Sequence, residues 1–270
     1  RARARIAVAL LALLLLAVMA AALATGPYGL PAGRVLAILG DWLTGQPAAD
    51  VTERIVLVDI RLPRLLLGAL VGAALAVSGT MLQGLFRNPL ADPGLVGVSS
   101  GAALGAVAAI ITGAALLAAR AAVLSLGILP VAAFLGGFVT TLLLYAIATR
   151  QGRTSVATML LAGIAIGAFS GAITSWLVFR STDAQLRELT FWTMGSLSGA
   201  TWLKIAFAAP PILAVLALSP VVARGLDALV LGEAEAHHLG IDTERLKTVI
   251  VFAVAVMVGV SVAFTGVIGF

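Results

Sequence analysis

Seven stretches of this chain carry no Asp, Glu, Lys, Arg or His and are each long enough to cross a hydrocarbon core of ~30 Å: Ile6 to Gly33, Leu65 to Phe86, Pro93 to Ala119, Ala121 to Thr149, Thr154 to Phe179, Ile205 to Ala223 and Thr248 to Phe270. Backbone inside lipid has no water to bond, so such stretches exist only as helices or as strands of a closed barrel. Barrel strands alternate apolar and polar residues, whereas here Leu, Ala and Gly follow one another without alternation. The expectation is an all-α, polytopic transmembrane bundle with about seven spans. Composition agrees, with 61% hydrophobic and 11% charged residues against roughly 25% charged in an ordinary soluble domain. The run Leu189 to Leu203 is too short to cross, and the lack of cysteine removes disulfides, thiolate metal sites and Cys nucleophiles together.

Arg1, Arg3 and Arg5 precede the first run and argue for a cytoplasmic N-terminus, with odd-numbered spans then running outward. The short Arg150-Gln-Gly-Arg153 loop supports the same orientation. Ile6 to Thr25 lacks the small-residue cleavage context of a signal peptide and reads as a retained helix. The start at Arg1 without Met and the stop at Phe270 inside an apolar run make both ends look incomplete.

Between the second and third runs lies Arg87-Asn-Pro-Leu-Ala-Asp-Pro93. Each Pro biases the preceding residue away from α, so neither helix can run through. Asp92 is a natural N-cap and Pro93 a natural first residue, so a new helix is expected at Pro93 or Gly94, its positive end at the loop.

Gly26 to Ile60 reads as an outer loop with a helix-like piece, Val35 to Thr44. Arg61 and Arg64, three apart, share a face where the second span begins and either snorkel to headgroups or dock an acidic partner. Gly68 and Gly72, Gly101 and Gly105, and Gly163, Gly167 and Gly171 recur at helical spacing, a pattern that lets helix backbones approach closely. Arg180 to Trp202 is expected as a short reentrant or interfacial helix ending near Gly195 and Gly199. Within Arg224 to Lys247, Gly232 and Gly240 bracket a helix of about two turns, with Glu233 and Glu235 at its positive end and His237 and His238 at its negative end. No third ligand accompanies the histidine pair, so a metal site is not expected there.

Arg61-Leu-Pro-Arg64, Gly84-Leu-Phe-Arg-Asn-Pro-Leu-Ala-Asp-Pro-Gly-Leu-Val-Gly-Val-Ser-Ser-Gly-Ala102, Leu161-Ala-Gly163, Trp192-Thr-Met-Gly-Ser196, Leu231-Gly-Glu-Ala-Glu-Ala-His-His-Leu-Gly240 and Thr265-Gly-Val-Ile-Gly-Phe270 resemble the FecCD-type permeases of iron-siderophore, haem and vitamin B12 importers, the type II ABC importers. The resemblance implies a ten-helix permease fold of which residues 1–270 form a single transmembrane domain, lacking the C-terminal spans, with residues 224–247 as its cytoplasmic coupling region. It implies a bacterial inner-membrane protein working as a homodimer with two cytoplasmic ATPase subunits and a periplasmic binding protein. No nucleic-acid partner is implied.

Carried over by position, Arg61 and Arg64 match arginines that receive the binding protein's acidic residues. Asn88 and Leu90 match the cytoplasmic gate, whose second loop is matched by Thr154, Ser155, Val156 and Ala157. Leu231, Gly232, Glu233, Glu235, His237, His238, Leu239 and Gly240 match the helix that sits in a cleft of the ATPase. Ser181 to Leu197 and Glu235 to Gly240 look most like the haem permeases, with ferric siderophore or vitamin B12 as alternative cargo. ATP and Mg belong to the partner, since neither lysine of this chain, Lys204 or Lys247, follows a G-x-x-x-x-G pattern. Two other classes are disfavoured by the residues themselves. An ion-coupled secondary transporter normally needs an ionisable group within a span, and an intramembrane enzyme needs H-E-x-x-H or an embedded Asp pair.

Overall fold

The computed structural model describes residues 2–47, 50–116 and 127–269. Arg1 and Phe270 lie outside the described residues, as do Ala119 and Ala121, where the third and fourth runs were expected to end and begin. Helices follow every uncharged run: α1 (Ala2–Ala24), α2 (Ala32–Thr44), α3 (Val51–Arg54) leading through a π-helical segment (Ile55–Arg61) into α4 (Leu62–Phe86), α5 (Val98–Leu116), α6 (Leu129–Ala148), α7 (Val156–Phe179), α8 (Asp183–Met194), α9 (Trp202–Leu231), α10 (Glu233–His238) and α11 (Thr243–Thr265). Six of these stretches are long and apolar enough to cross a membrane, counting Val51–Phe86 as one; the apolar part of α5, Val98–Thr112, is shorter. The chain divides into two compact units, Arg1–Ala69 with Leu197–Ala206, and Leu70–Ser196 with Phe207–Phe270.

In the smaller unit, Leu30, Val35, Ile38, Leu57 and Val58 form a core under the π-helical segment. Trp42 stacks on Trp202 with ring centroids 5.6 Å apart, and the Trp202 indole N–H donates to the Val58 carbonyl at 3.0 Å. The expected loop from Gly26 to Ile60 is therefore largely helical. Asp50 caps α3 by accepting from the Thr52 and Glu53 N–H groups, so the helix carrying Arg61 begins at Val51. The cap was present in the sequence as Asp50-Val-Thr-Glu53, an acidic variant of the capping-box pattern.

In the larger unit α5 and α6 meet backbone to backbone. A Cβ on Gly101 or Gly105 would overlap the carbonyl oxygens of Gly136 and Ala132, and a Cβ on Gly136 would overlap that of Gly101. Thr140 lies at the seam, its one hydroxyl proton shared between the Gly97 carbonyl across it at 3.2 Å and the Gly136 and Gly137 carbonyls of its own helix at 3.1 and 2.8 Å. Gly163 of α7 likewise lies against the Leu95 carbonyl, whereas Gly72 and Gly171 have nothing within 4 Å. α11 is the most enclosed span, and Phe252 on it meets Phe138 and Tyr145 of α6. α9 continues to Leu231, beyond the expected end of its span, and contains Pro210, Pro211 and Pro220.

Candidate functional site

Arg61 and Arg64 sit at the join of the π segment and α4. Arg61 donates to the Leu23 carbonyl at 2.6 Å and to the Tyr28 carbonyl. Leu23 lies in the last turn of α1, where carbonyls have no partner within the helix and the dipole is negative, so a guanidinium is favoured there. Arg61 thus holds the end of α1, a helix with no fully buried residue whose Leu23 packs against the edge of the core. Arg64 is exposed. Both arginines border a cavity of about 480 Å³ walled by Leu15, Met19, Leu65 and Gly68, and neither has an ion-pair partner among the described residues.

The loop after α4 is shaped residue by residue. Arg87 takes a left-handed conformation, φ 49°, and closes α4 in a Schellman arrangement: its N–H donates to the Gly84 carbonyl at 3.3 Å and that of Asn88 to the Gln83 carbonyl at 3.1 Å. The Asn88 side-chain oxygen accepts from the Leu90 N–H at 2.9 Å, which fixes a turn and leaves Leu90 85% exposed at its tip. Asp92 caps the next element as expected, accepting from Gly94 N–H. That element is a single 3₁₀ turn, Pro93–Val96, ended by Gly97 at φ 76°, and the α-helix starts only at Val98. The expected α-helix start at Pro93 or Gly94 is corrected to Val98, because Gly97 lets the chain turn between the two.

Arg150 to Arg153 forms a hairpin, Thr149–Arg150 against Arg153–Thr154, with Gln151 and Gly152 both at positive φ as a two-residue turn demands. Thr154 is 3% exposed. Its N–H donates to Glu244 Oε2 at 2.7 Å and its carbonyl accepts from Lys247 Nζ at 2.9 Å. Ser155 is the N-cap of α7, accepting from Thr158 N–H, and Val156 and Ala157 are its first residues, the latter exposed.

The bracketed helix is present as α10. Gly232 at φ 126° precedes it, and Gly240 at φ 82° ends it with Ile241 N–H donating to the Ala236 carbonyl at 3.0 Å. Ala236 is buried, while Leu231, Glu235, His237, His238 and Leu239 are exposed. The Glu233 carboxylate pairs with Lys247 Nζ at 2.9 Å. Lys247, 2% exposed, also pairs with Glu244 at 2.9 Å. Sequence reading missed this lysine, although its position one turn after Glu244 at the head of an apolar helix was the available signal. Among the described residues no group of three or more His, Asp or Glu is placed to hold a metal ion.

A model of the FecCD transport family matches residues 12–270. The chain is 44% identical over 219 residues to the cobalamin import system permease protein BtuC of Halobacterium salinarum, covering 81% of this chain and 57% of the relative. It is 45% identical over 212 residues to the hemin transport system permease protein HmuU of Yersinia pestis, covering 78% and 62%. It therefore spans about three fifths of the length of these relatives. A solved structure described as an inward-facing conformation of a transporter of the metal-chelate ABC type superposes with a TM-score of 0.80 at 32% identity, over 96% of this chain and 75% of that one.

Proposed function

Because this chain belongs to the FecCD transport family, we propose that it is the membrane-crossing permease of an ATP-driven importer, with haem as cargo. The observation that carries the reading is the uncharged interior. Lys247 is the one buried charged residue among those described, and two glutamates already neutralise it. The seven uncharged runs hold no Asp, Glu, Lys, Arg or His that could couple transport to protons or sodium, so the energy comes from a partner that binds ATP. α10 is the contact for that partner, with Leu231 and Leu239 as exposed apolar anchors at either end of a charged helix. Two copies of the chain place two Asn88-to-Leu90 turns across the pore, and Arg64 meets acidic residues of a binding protein delivered from outside.

Haem is supported by the Ser181-to-Leu197 and Glu235-to-Gly240 segments and by the likeness to the hemin permease. Cobalamin is the second reading, favoured by a likeness of nearly equal degree to the cobalamin permease. The test is uptake into proteoliposomes holding the full-length permease and its ATPase, supplied with haem, cobalamin or a ferric siderophore. ATP-dependent haem uptake that a tenfold excess of cobalamin does not reduce is the expected result. Uptake of cobalamin alone reassigns the cargo, and uptake without ATP rejects the importer reading.

A further inference from the structure

We propose that Lys247 is a strut that carries movement of the Glu233–His238 helix to the turn at Thr154, a positioning residue for the gate that rests on the importer reading above. One ammonium, 2% exposed, receives three acceptors at 2.9 Å each from three separate elements: Glu233 of α10, Glu244 of α11 and the Thr154 carbonyl at the end of the hairpin. Glu244 also holds the Thr154 N–H at 2.7 Å. Both backbone groups of Thr154 are thus gripped by two side chains one turn apart on α11. The hairpin end and the head of that helix move as one piece.

α10 is attached differently. Glycines at positive φ flank it, and one charged contact, Glu233 to Lys247, reaches from it into the buried cluster. Glu233 is 45% exposed against 33% for Glu244, so it is the partner nearer the surface. Parting from it would leave one donor of a buried ammonium without its acceptor even though Glu244 still balances the charge, so the contact resists separation. When a docked partner displaces α10, Lys247 follows Glu233, and Thr154 follows Lys247. The turn from Arg153 to Ala157 is displaced in consequence.

The experiment is amide hydrogen exchange on the full-length permease, with and without its ATPase subunits, for wild type, Lys247→Gln and Lys247→Met. Neither variant alters α10, the surface that meets the partner. In wild type, docking is expected to protect residues 233–238 and to change exchange at residues 154–158 by about fivefold. In the variants the protection at 233–238 is expected to remain while the response at 154–158 falls below about twofold. A merely structural role for Lys247 would shift exchange at 154–158 equally with and without the ATPase and leave the docking response intact. A full response at 154–158 in both variants, or none in wild type despite protection at 233–238, overturns the strut. Failure of both variants alone to dock assigns Lys247 to the partner surface and also overturns it. Absence of docking by wild type instead rejects the importer reading beneath it.

Discussion

One methyl group tests the seam between α5 and α6. Gly136→Ala would drive its Cβ into the Gly101 carbonyl, which is backbone and cannot rotate away. The helices must part, at a cost of about 1–3 kcal/mol typical of overpacking. Gly171→Ala meets nothing within 4 Å and is expected to be neutral or to stabilise by up to about 1 kcal/mol through helix propensity. Thermal unfolding of the two variants in detergent separates them, and equal melting points would contradict the close approach. The spacing of Gly101, Gly105, Gly163 and Gly171 was legible in the sequence. Which of them face a neighbouring backbone was not, because periodicity marks a face without naming what lies across it. The same limit applied to the arginines: both were visible, but only the structure shows Arg61 engaged with Leu23 and Tyr28. Arg64 is the freer charge, so Arg64→Glu is expected to weaken binding-protein affinity at low salt by at least about tenfold and to leave folding unchanged. An affinity equal to wild type at low and high salt would remove Arg64 from the docking surface.

At the scale of elements, ends were read better than lengths. Asp92, Gly232 and Gly240 stand where their chemistry suggested, as cap, breaker and stop. The 3₁₀ turn between Asp92 and Gly97 and the helical start at Val51 were not foreseen. In each case a local hydrogen bond set the boundary, and the hydrophobic pattern is silent about such bonds. α10 has only six residues and cannot persist alone, since isolated helices shorter than about 12 residues are marginal. Its stop therefore matters more than its propensity. Gly240→Ala forces a Cβ into the left-handed region at roughly 1–2 kcal/mol and is expected to fray the helix. Hydrogen exchange at Leu239 and Ile241 should rise in the permease alone, with α11 unaffected. Unaltered exchange at both amides would mean that the Schellman closure does not hold the helix end.

For the whole molecule, the fold class followed from where charge is missing, and the division into two compact units did not, because no charge or composition boundary falls at Ala69 or Ser196. In the proposed importer the gate is a property of the assembly. Leu90 is exposed at the tip of a turn held by Asn88, so in the proposed two-copy pore it is the side chain expected to close the path. Leu90→Ala is expected to raise ATP-independent cargo leakage from proteoliposomes severalfold, whereas Leu95→Ala, beyond the turn, should not. A tight Leu90→Ala variant would move the gate elsewhere. The uncharged runs have a further consequence, an electrical one. Moving one elementary charge through the membrane potential exchanges about 2.3 kcal/mol per 100 mV, and these runs have no such charge to move. In the proposed importer, movement of these uncharged runs is therefore expected to be insensitive to membrane voltage.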